Sequence, residues 1–458
     1  MLQSFATYLD NPSINWKAIV TSLLIGKYAF ETYINYRQYQ VYHRTKPPAS
    51  IEKEFTPEVF HKSQAYSRAK SRFGFVSDAI DLLKDLAVLK FDLLPRLWSV
   101  AGCVSSRLGG VQFIGRFFGA SVMSQSIVFF AINSVISTLE ELPLSYYKTF
   151  VLEQEWGFNK TTLTTFVKDT VKSLVIGIIL SSPFIYLFLR IVDAYGPGFV
   201  KYAMGLTLAA QLILMTLFPI LILPLFYKMT PLEDGELKTE IEALAKRNEF
   251  PLTHLYVIDG STRSAHSNAM FVGLPWSKKI LLYDTLIEQS TVPQVVAVLA
   301  HEIGHWRLNH LPQMMAFSQL SVAITFVLFS AFLTNKSLFQ SFAFPANGPP
   351  LVAFMLFSYV SSPINCLVQF FSNLLSRKNE YQADAYAEKQ GYKDELATSL
   401  ITMCTENLSS MNTDWLYSSY NHSHPILADR LSALGYKSES KVGNLHLDIE
   451  KKDEEKTE

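Results

Sequence analysis

The sequence predicts an all-α membrane protein of seven transmembrane helices, with a water-facing portion that contains a small β-hairpin. Hydrophobic residues make up 49% of the 458 positions and charged residues only 17%, a balance more apolar than soluble domains show. Several uncharged runs reach the roughly 20 residues that cross a hydrocarbon core at about 1.5 Å rise per residue. Two other stretches mix apolar and charged residues as water-facing structure does.

The first expected span, 18–36, is interrupted by Lys27 and Glu31, and the second, 82–104, carries Lys84, Asp85, Lys90 and Asp92. In both, the charges must face protein or water. The third lies within 116–140, where FFGASVMSQSIVFFAINSVISTL holds no charge. The fourth, 172–190, is short but bounded by Lys172 and Arg190, whose long side chains reach the interface by snorkelling. Apolar runs at 202–227, 311–335 and 351–371 complete the set.

Basic residues collect on the cytosolic side of short loops. The 36–75 loop holds Arg37, Arg44, Lys46, Lys53, Lys62, Arg68, Lys70 and Arg72, so it is expected in the cytosol. With seven spans, the loop near Glu153, the central polar segment and the C-terminus share that side. The chain then divides into an N-terminal membrane region with five spans (1–227), a cytosolic-side segment (228–310), two further spans (311–376) and a C-terminal polar segment (377–458). Its last residues, KKDEEKTE, are a charge run without apolar content and read as a disordered end.

Forty basic residues balance forty acidic ones, so no global field draws nucleic acid, and no nucleic-acid partner is expected. Cys103, Cys366 and Cys404 are far apart, which excludes a disulfide framework and a thiolate metal site. A bound metal must be held by nitrogen and oxygen. The N-terminus lacks the basic, apolar and small-residue pattern of a removable signal, so insertion is expected to rest on internal segments.

The run VVAVLAHEIGHWRLNH contains His301-Glu302-Ile303-Gly304-His305, an HExxH motif. Thr291, Pro293 and Gln294 precede it as an N-cap, a first-turn proline and a capping-box partner, so the motif is expected on a helix. Four residues apart, the two imidazoles share a face and can bind one zinc ion, while Glu302, one step aside, can reach an attacking water. This is the pattern of metal-assisted peptide hydrolysis.

A catalytic zinc takes three protein ligands and keeps one position open. Leu308 and Leu311 stand where a HExxHxxGxxH pattern would have Gly and His, so the third ligand lies elsewhere. SRKNEYQADAYAEKQGY offers Glu380, with Asp384 one helical turn on. Glu380 can bind metal while Asp384 hydrogen-bonds an imidazole N–H. Alone, the pair would read as a solvated helix face; the HExxH motif makes the metal reading the stronger.

The segment RSAHSNAMFVGLPWSKKILLYDTL reads as paired strands joined through Gly273-Leu274-Pro275. An exposed edge there could take a peptide as an added strand, with Asn268 holding substrate backbone; an ordinary hairpin explains the pattern equally well. HSHPILADRL carries His424 and Arg430. If Glu380 is a ligand, this segment folds back over the metal, and both residues become candidate donors to a developing oxyanion; a surface histidine is the plainer reading of His424. His310, five residues past His305, is expected to turn away along the helix.

Dispersed stretches add a resemblance. ETYINYRQYQ, KSQAYSRAKSRF, SYYKTFVLEQEWGFNKTTL, SAHSNAMFVGLP, VLAHEIGHW, SRKNEYQADAYA and SHPILADR run over nearly the whole chain, which resembles the CAAX prenyl protease 1 family. The resemblance implies seven helices enclosing a large water-filled chamber, with a zinc metalloprotease domain on the cytosolic side. It implies residence in the endoplasmic reticulum membrane, extending to the inner nuclear membrane, and prenylated CAAX proteins or peptides as substrates. These lose the terminal tripeptide and in some cases are cut again upstream. It also implies one zinc ion on His301, His305 and Glu380, Glu302 as catalytic base, and Asp384 as proton donor, beside the orienting role read from geometry.

Two other classes fit parts of the sequence. Charges within weak spans, such as Lys84 and Asp92, would suit a transporter or translocation-clearing protein with structural histidines. A shorter, bacterial-type membrane quality-control protease shares the motif, though the additional N-terminal spans weigh against it.

Overall fold

The computed structural model describes residues 2–110, 121–274 and 277–437. The start of the 116–140 span, Pro275 of the expected strand turn and the KKDEEKTE tail lie outside the described residues.

Helix α1 (Trp16–Val41) contains the first expected span and starts where the Asn15 side chain accepts from Ala18 N–H. Helix α2 (Pro57–Lys90) is capped by Thr56, with Pro57 at the first helical position, where the missing N–H costs nothing. The expected span 82–104 is not one helix. Phe91 and Asp92 separate α2 from α3 (Leu93–Gly109), with Asp92 left-handed at φ 50°. Pro95 explains the break: a continuous helix would need its N–H for the Phe91 carbonyl, and its ring would clash there. Asp92 also pairs with Lys17 Nζ at 2.8 Å.

Helix α4 (Val122–Tyr147) continues through a π-helical turn, Lys148–Glu153. Helices α5 (Leu163–Tyr195) and α6 (Val200–Leu217) are separated by a 3-10 turn in which Gly196 has φ 49°. They pack on one another, so the chain reverses at that turn. Four strands follow with a helix among them: β1 (Met229–Pro231), α7 (Glu236–Arg247), β2 (Leu252–Ile258), β3 (Ala269–Leu274) and β4 (Ser277–Tyr283). The expected hairpin, β3 antiparallel to β4, belongs to a larger sheet of order β1-β2-β4-β3, with β2 parallel to β4. Strand β3 is therefore an edge.

Next come α8 (Val292–Arg307), α9 (His310–Ser330), α10 (Pro350–Val360) and α11 (Ser362–Lys389). Helices α10 and α11 meet at 68°, where Pro363 has no N–H to continue the ladder. The chain closes with α12 (Lys393–Glu406), α13 (Trp415–Asn421) and α14 (Leu427–Ala433). Among the described residues, three helical stretches are long and apolar enough to cross a membrane: Val122–Glu153, Leu163–Phe226 and His310–Ser330; the bent α10–α11 pair makes a fourth.

Two large cores hold the molecule, beside a small cluster of Tyr66, Leu152, Phe158 and Leu408. One, rich in phenylalanine, binds α5, α9 and α10 through Phe188, Phe326, Phe329 and Phe357. The other packs β2, β4, α7, α8, α12 and α14 around Ile241, Leu282, Leu299 and Leu431, and also recruits Ile51, Phe55 and Phe60 from before and within α2. The first turns of α2 thus fasten the N-terminal region to the domain that carries HExxH.

Candidate metal centre

The motif helix α8 forms as its flanks dictate: Thr291 N–H donates to Gln294 Oε1 at 2.9 Å and Pro293 lies in the first turn. Its buried face crosses α11 closely because residue 304 has no side chain. A Cβ on Gly304 would lie 3.0 Å from Tyr386 Cβ and 3.2 Å from Ala383 Cα, close enough that α11 would have to shift to accept it. The glycine of HEIGH lets Glu380 reach the two histidines.

His301, His305 and Glu380 each offer one ligand atom, all within 4.8 Å of one another. His301 Nε2 is 3.1 Å from His305 Nε2 and 3.5 Å from Glu380 Oε2; His305 Nε2 is 3.3 Å from Glu380 Oε1. The rings' far sides fix which nitrogen is free. His301 Nδ1 lies 2.8 Å from Asp384 Oδ1, so Nδ1 carries the proton and the Nε2 lone pair faces the cluster. His305 Nδ1 is 2.9 Å from His310 Nδ1, and His310 Nε2 is 3.1 Å from Gln382 Oε1. With the Gln382 oxygen assigned as the acceptor, His310 is protonated on Nε2 and accepts on Nδ1. His305 is then protonated on Nδ1, and its Nε2 also faces the cluster.

The expectation that His310 turns away is therefore corrected. Asn309 is left-handed at φ 57°, which ends α8 and starts α9 in a new direction with His310 buried against His305. An asparagine immediately before a second apolar helix was the signal available in the sequence.

Asp384 is buried and receives two hydrogen bonds from Arg430, Nε at 2.8 Å and a terminal nitrogen at 2.6 Å. The other terminal nitrogen is 3.6 Å from Glu380 Oε2. His424 Nε2 approaches Glu380 Oε1 at 3.4 Å from a side chain 65% exposed. Both residues sit at the cluster. Asn268 does not: it is exposed just before β3, its Oδ1 accepts from Ala269 N–H at 2.8 Å, and no hydrogen bond or ion pair among the described residues joins it to the cluster. The edge it precedes does pack on α8.

The donor set fits zinc: two nitrogens and one carboxylate converge, the three protein ligands that a catalytic zinc takes. The charge balance fits too. Burial opposes charge on His301, but the Asp384 and Glu380 carboxylates outweigh it and hold its pKa at about 9. A site that pulls a proton onto a buried imidazole is one that favours a cation. Glu302 is half-buried, and burial raises its carboxyl above the ordinary range; no hydrogen bond or ion pair among the described residues occupies it.

Comparison with known proteins identifies the family. The family described as CAAX prenyl protease N-terminal, five membrane helices, matches residues 38–228, and peptidase family M48 matches 231–438. CAAX prenyl protease 1 of Saccharomyces cerevisiae is 46% identical over 95% of this chain and 98% of its own. The chain belongs to the CAAX prenyl protease 1 family. The family's human homolog is 36% identical, with 89% of this chain and 92% of the homolog aligned. The crystal structure of S. mikatae Ste24p superposes with a TM-score of 0.88 at 45% identity, covering 93% of this chain and all of that one. As a family member the protein is a multi-pass membrane zinc metalloprotease.

Proposed function

We propose that the protein is an endopeptidase of the endoplasmic reticulum membrane, extending to the inner nuclear membrane, that removes the C-terminal tripeptide from prenylated CAAX proteins and makes a second cut upstream in some of them. In this reading seven helices enclose a water-filled chamber, with the site at its cytosolic end. The relatives' names and the family's N-terminal membrane region support it. A substrate chain that gains about 0.8 kcal/mol per buried CH₂ arrives from the bilayer.

His301, His305 and Glu380 would hold one zinc ion, whose chemistry there is Lewis-acid polarisation of the scissile carbonyl and a lowered pKa of water. Glu302, raised by burial and free of partners, takes the proton of the attacking water and delivers it to the leaving amine. His424 and Arg430 donate to the developing oxyanion. Asp384, already holding His301 and Arg430, orients the imidazole rather than moving protons. The β3 edge beside α8 accepts the substrate backbone with Asn268 at its start.

The observation that carries the proposal is the convergence of two imidazole lone pairs, each fixed by a partner on the far side of its ring, on one buried carboxylate. The test is incubation of the purified full-length protein with a farnesylated CAAX peptide, its unfarnesylated counterpart and a zinc chelator. Chelator-sensitive release of a tripeptide, faster from the farnesylated peptide, is expected. Cleavage indifferent to chelation, or to the prenyl group, would defeat the metal reading or the substrate reading respectively.

A further inference from the structure

A cavity of about 460 Å³ opens between α1, α2 and the segment leading to His424. Lys70, His422, Tyr417 and Ser410 line it. Lys70 is exposed to solvent, yet enough protein surrounds it that burial lowers its pKa; it faces a recess rather than open surface. No carboxylate among the described residues pairs with its ammonium, which rests 4.0 Å from the centre of the Tyr66 ring. Glu153 is the carboxylate that acts on it, but both Glu153 oxygens already accept from the Tyr66 hydroxyl, at 2.9 and 2.8 Å. On the far wall, His422 Nδ1 is enclosed without a hydrogen-bond partner, and the Tyr417 ring holds the imidazole edge-on at 5.3 Å. The Arg377 guanidinium adds positive potential at His422 while donating to the Ser418 carbonyl at 3.2 Å. Lys148 also acts on Lys70, and His424 on His422, and Asn35, which lines the recess, engages Asp78 at 3.4 Å.

A recess with a free ammonium on one wall and an imidazole on the other selects a small anion. Its place selects which one. His422 is two residues from His424, which reaches Glu380, so the recess wall lies within about 7 Å of chain from a residue whose side chain touches the metal cluster. Three extended residues span about 10 Å, the separation between a scissile bond and the carboxylate that ends a tripeptide leaving group. We propose that this recess is the subsite for the free C-terminal carboxylate of the substrate, bound by Lys70 Nζ and the His422 ring. The inference rests on the tripeptide-releasing function proposed above. It assigns Lys70 a specificity role: it tells a chain end from an internal bond.

The test compares farnesylated peptides of one sequence ending in a free acid or an amide, using full-length protein in detergent. The wild type should cleave the acid with kcat/KM about tenfold or more above the amide, mainly through KM, since a charge-assisted hydrogen bond contributes about 1.5–3 kcal/mol. Lys70→Gln should bring the acid down to the amide, and Lys70→Arg should restore the preference. Equal cleavage of acid and amide by wild type, or an equal loss on both in Lys70→Gln, would overturn the assignment. Binding of the tripeptide acid and its amide to Glu302→Gln protein measures the recess without turnover. Acid-selective, Lys70-dependent binding without peptide cleavage by the wild type would support the recess and count against the protease reading; equal binding would count against the recess alone.

Discussion

Replacing Asp384 with Asn separates the two roles open to that carboxylate. The side chain is buried, accepts His301 Nδ1–H at 2.8 Å and holds Arg430 through two bonds at 2.8 and 2.6 Å. Asparagine keeps one oxygen for His301 but removes the charge that makes the bond strong and leaves Arg430 with Glu380, at 3.6 Å, as its remaining carboxylate. Hydrogen bonds to charged groups contribute about 1.5–3 kcal/mol, and partners behind metal-bound histidines change affinity about 10–100-fold; the two estimates agree. Zinc affinity, measured by competition with a chromophoric chelator, should therefore fall by about that factor in Asp384→Asn, and turnover should largely return at saturating zinc. Unchanged zinc affinity with turnover reduced more than about a hundredfold would refute the orienting role and make Asp384 a proton donor.

Glu302→Gln should retain zinc and lose about 10²–10⁴ in turnover, checked by metal analysis beside the peptide assay. His310→Phe should weaken zinc binding about 10–100-fold, because His305 loses the acceptor that fixes its tautomer; unchanged affinity would leave His310 as packing. His424→Ala should lower turnover by about 10²-fold with KM and zinc content nearly constant. Gly304→Ala should reduce zinc content, since the added methyl meets Ala383 and Tyr386 across the helix crossing. Single cysteines at His61 and after Lys451 should both label from the cytosol, and opposite labelling would remove one of the two weak spans.

The motif helix was legible because every signal for it is local: cap, proline, capping partner and a four-residue histidine spacing all lie within α8. Glu380 was legible by elimination, since the motif lacks a third histidine and one downstream helix offers a carboxylate pair. The break at Asp92 had a local signal in Pro95, whereas the redirection at Asn309 was harder, because it depends on a non-glycine residue in the left-handed region, which a short polar side chain permits but does not announce. The sheet extends beyond the hairpin because β2 pairs in parallel with β4, a non-local choice made by the core rather than by turn residues. Lys70 drew notice only as one of eight loop cations. What makes it different is its place in a recess, over the Tyr66 ring and opposite His422, and that is a property of the fold.

The ligand helices α8 and α11 are separated in sequence by α9 and α10, so the segment bearing HExxH emerges from the ribosome well before Glu380. A nascent chain that has reached His310 has two imidazoles but neither Glu380 nor Asp384, and peptide hydrolysis is closed to it. With Glu380 as the third ligand and the topology proposed above, proteolytic competence arrives only after the later apolar helices have been inserted and Glu380 has returned to the side of the membrane where α8 waits. A chain that threads α9 or the α10–α11 pair wrongly leaves its glutamate on the opposite side and stays silent, so quality of insertion and onset of activity are tied to one event.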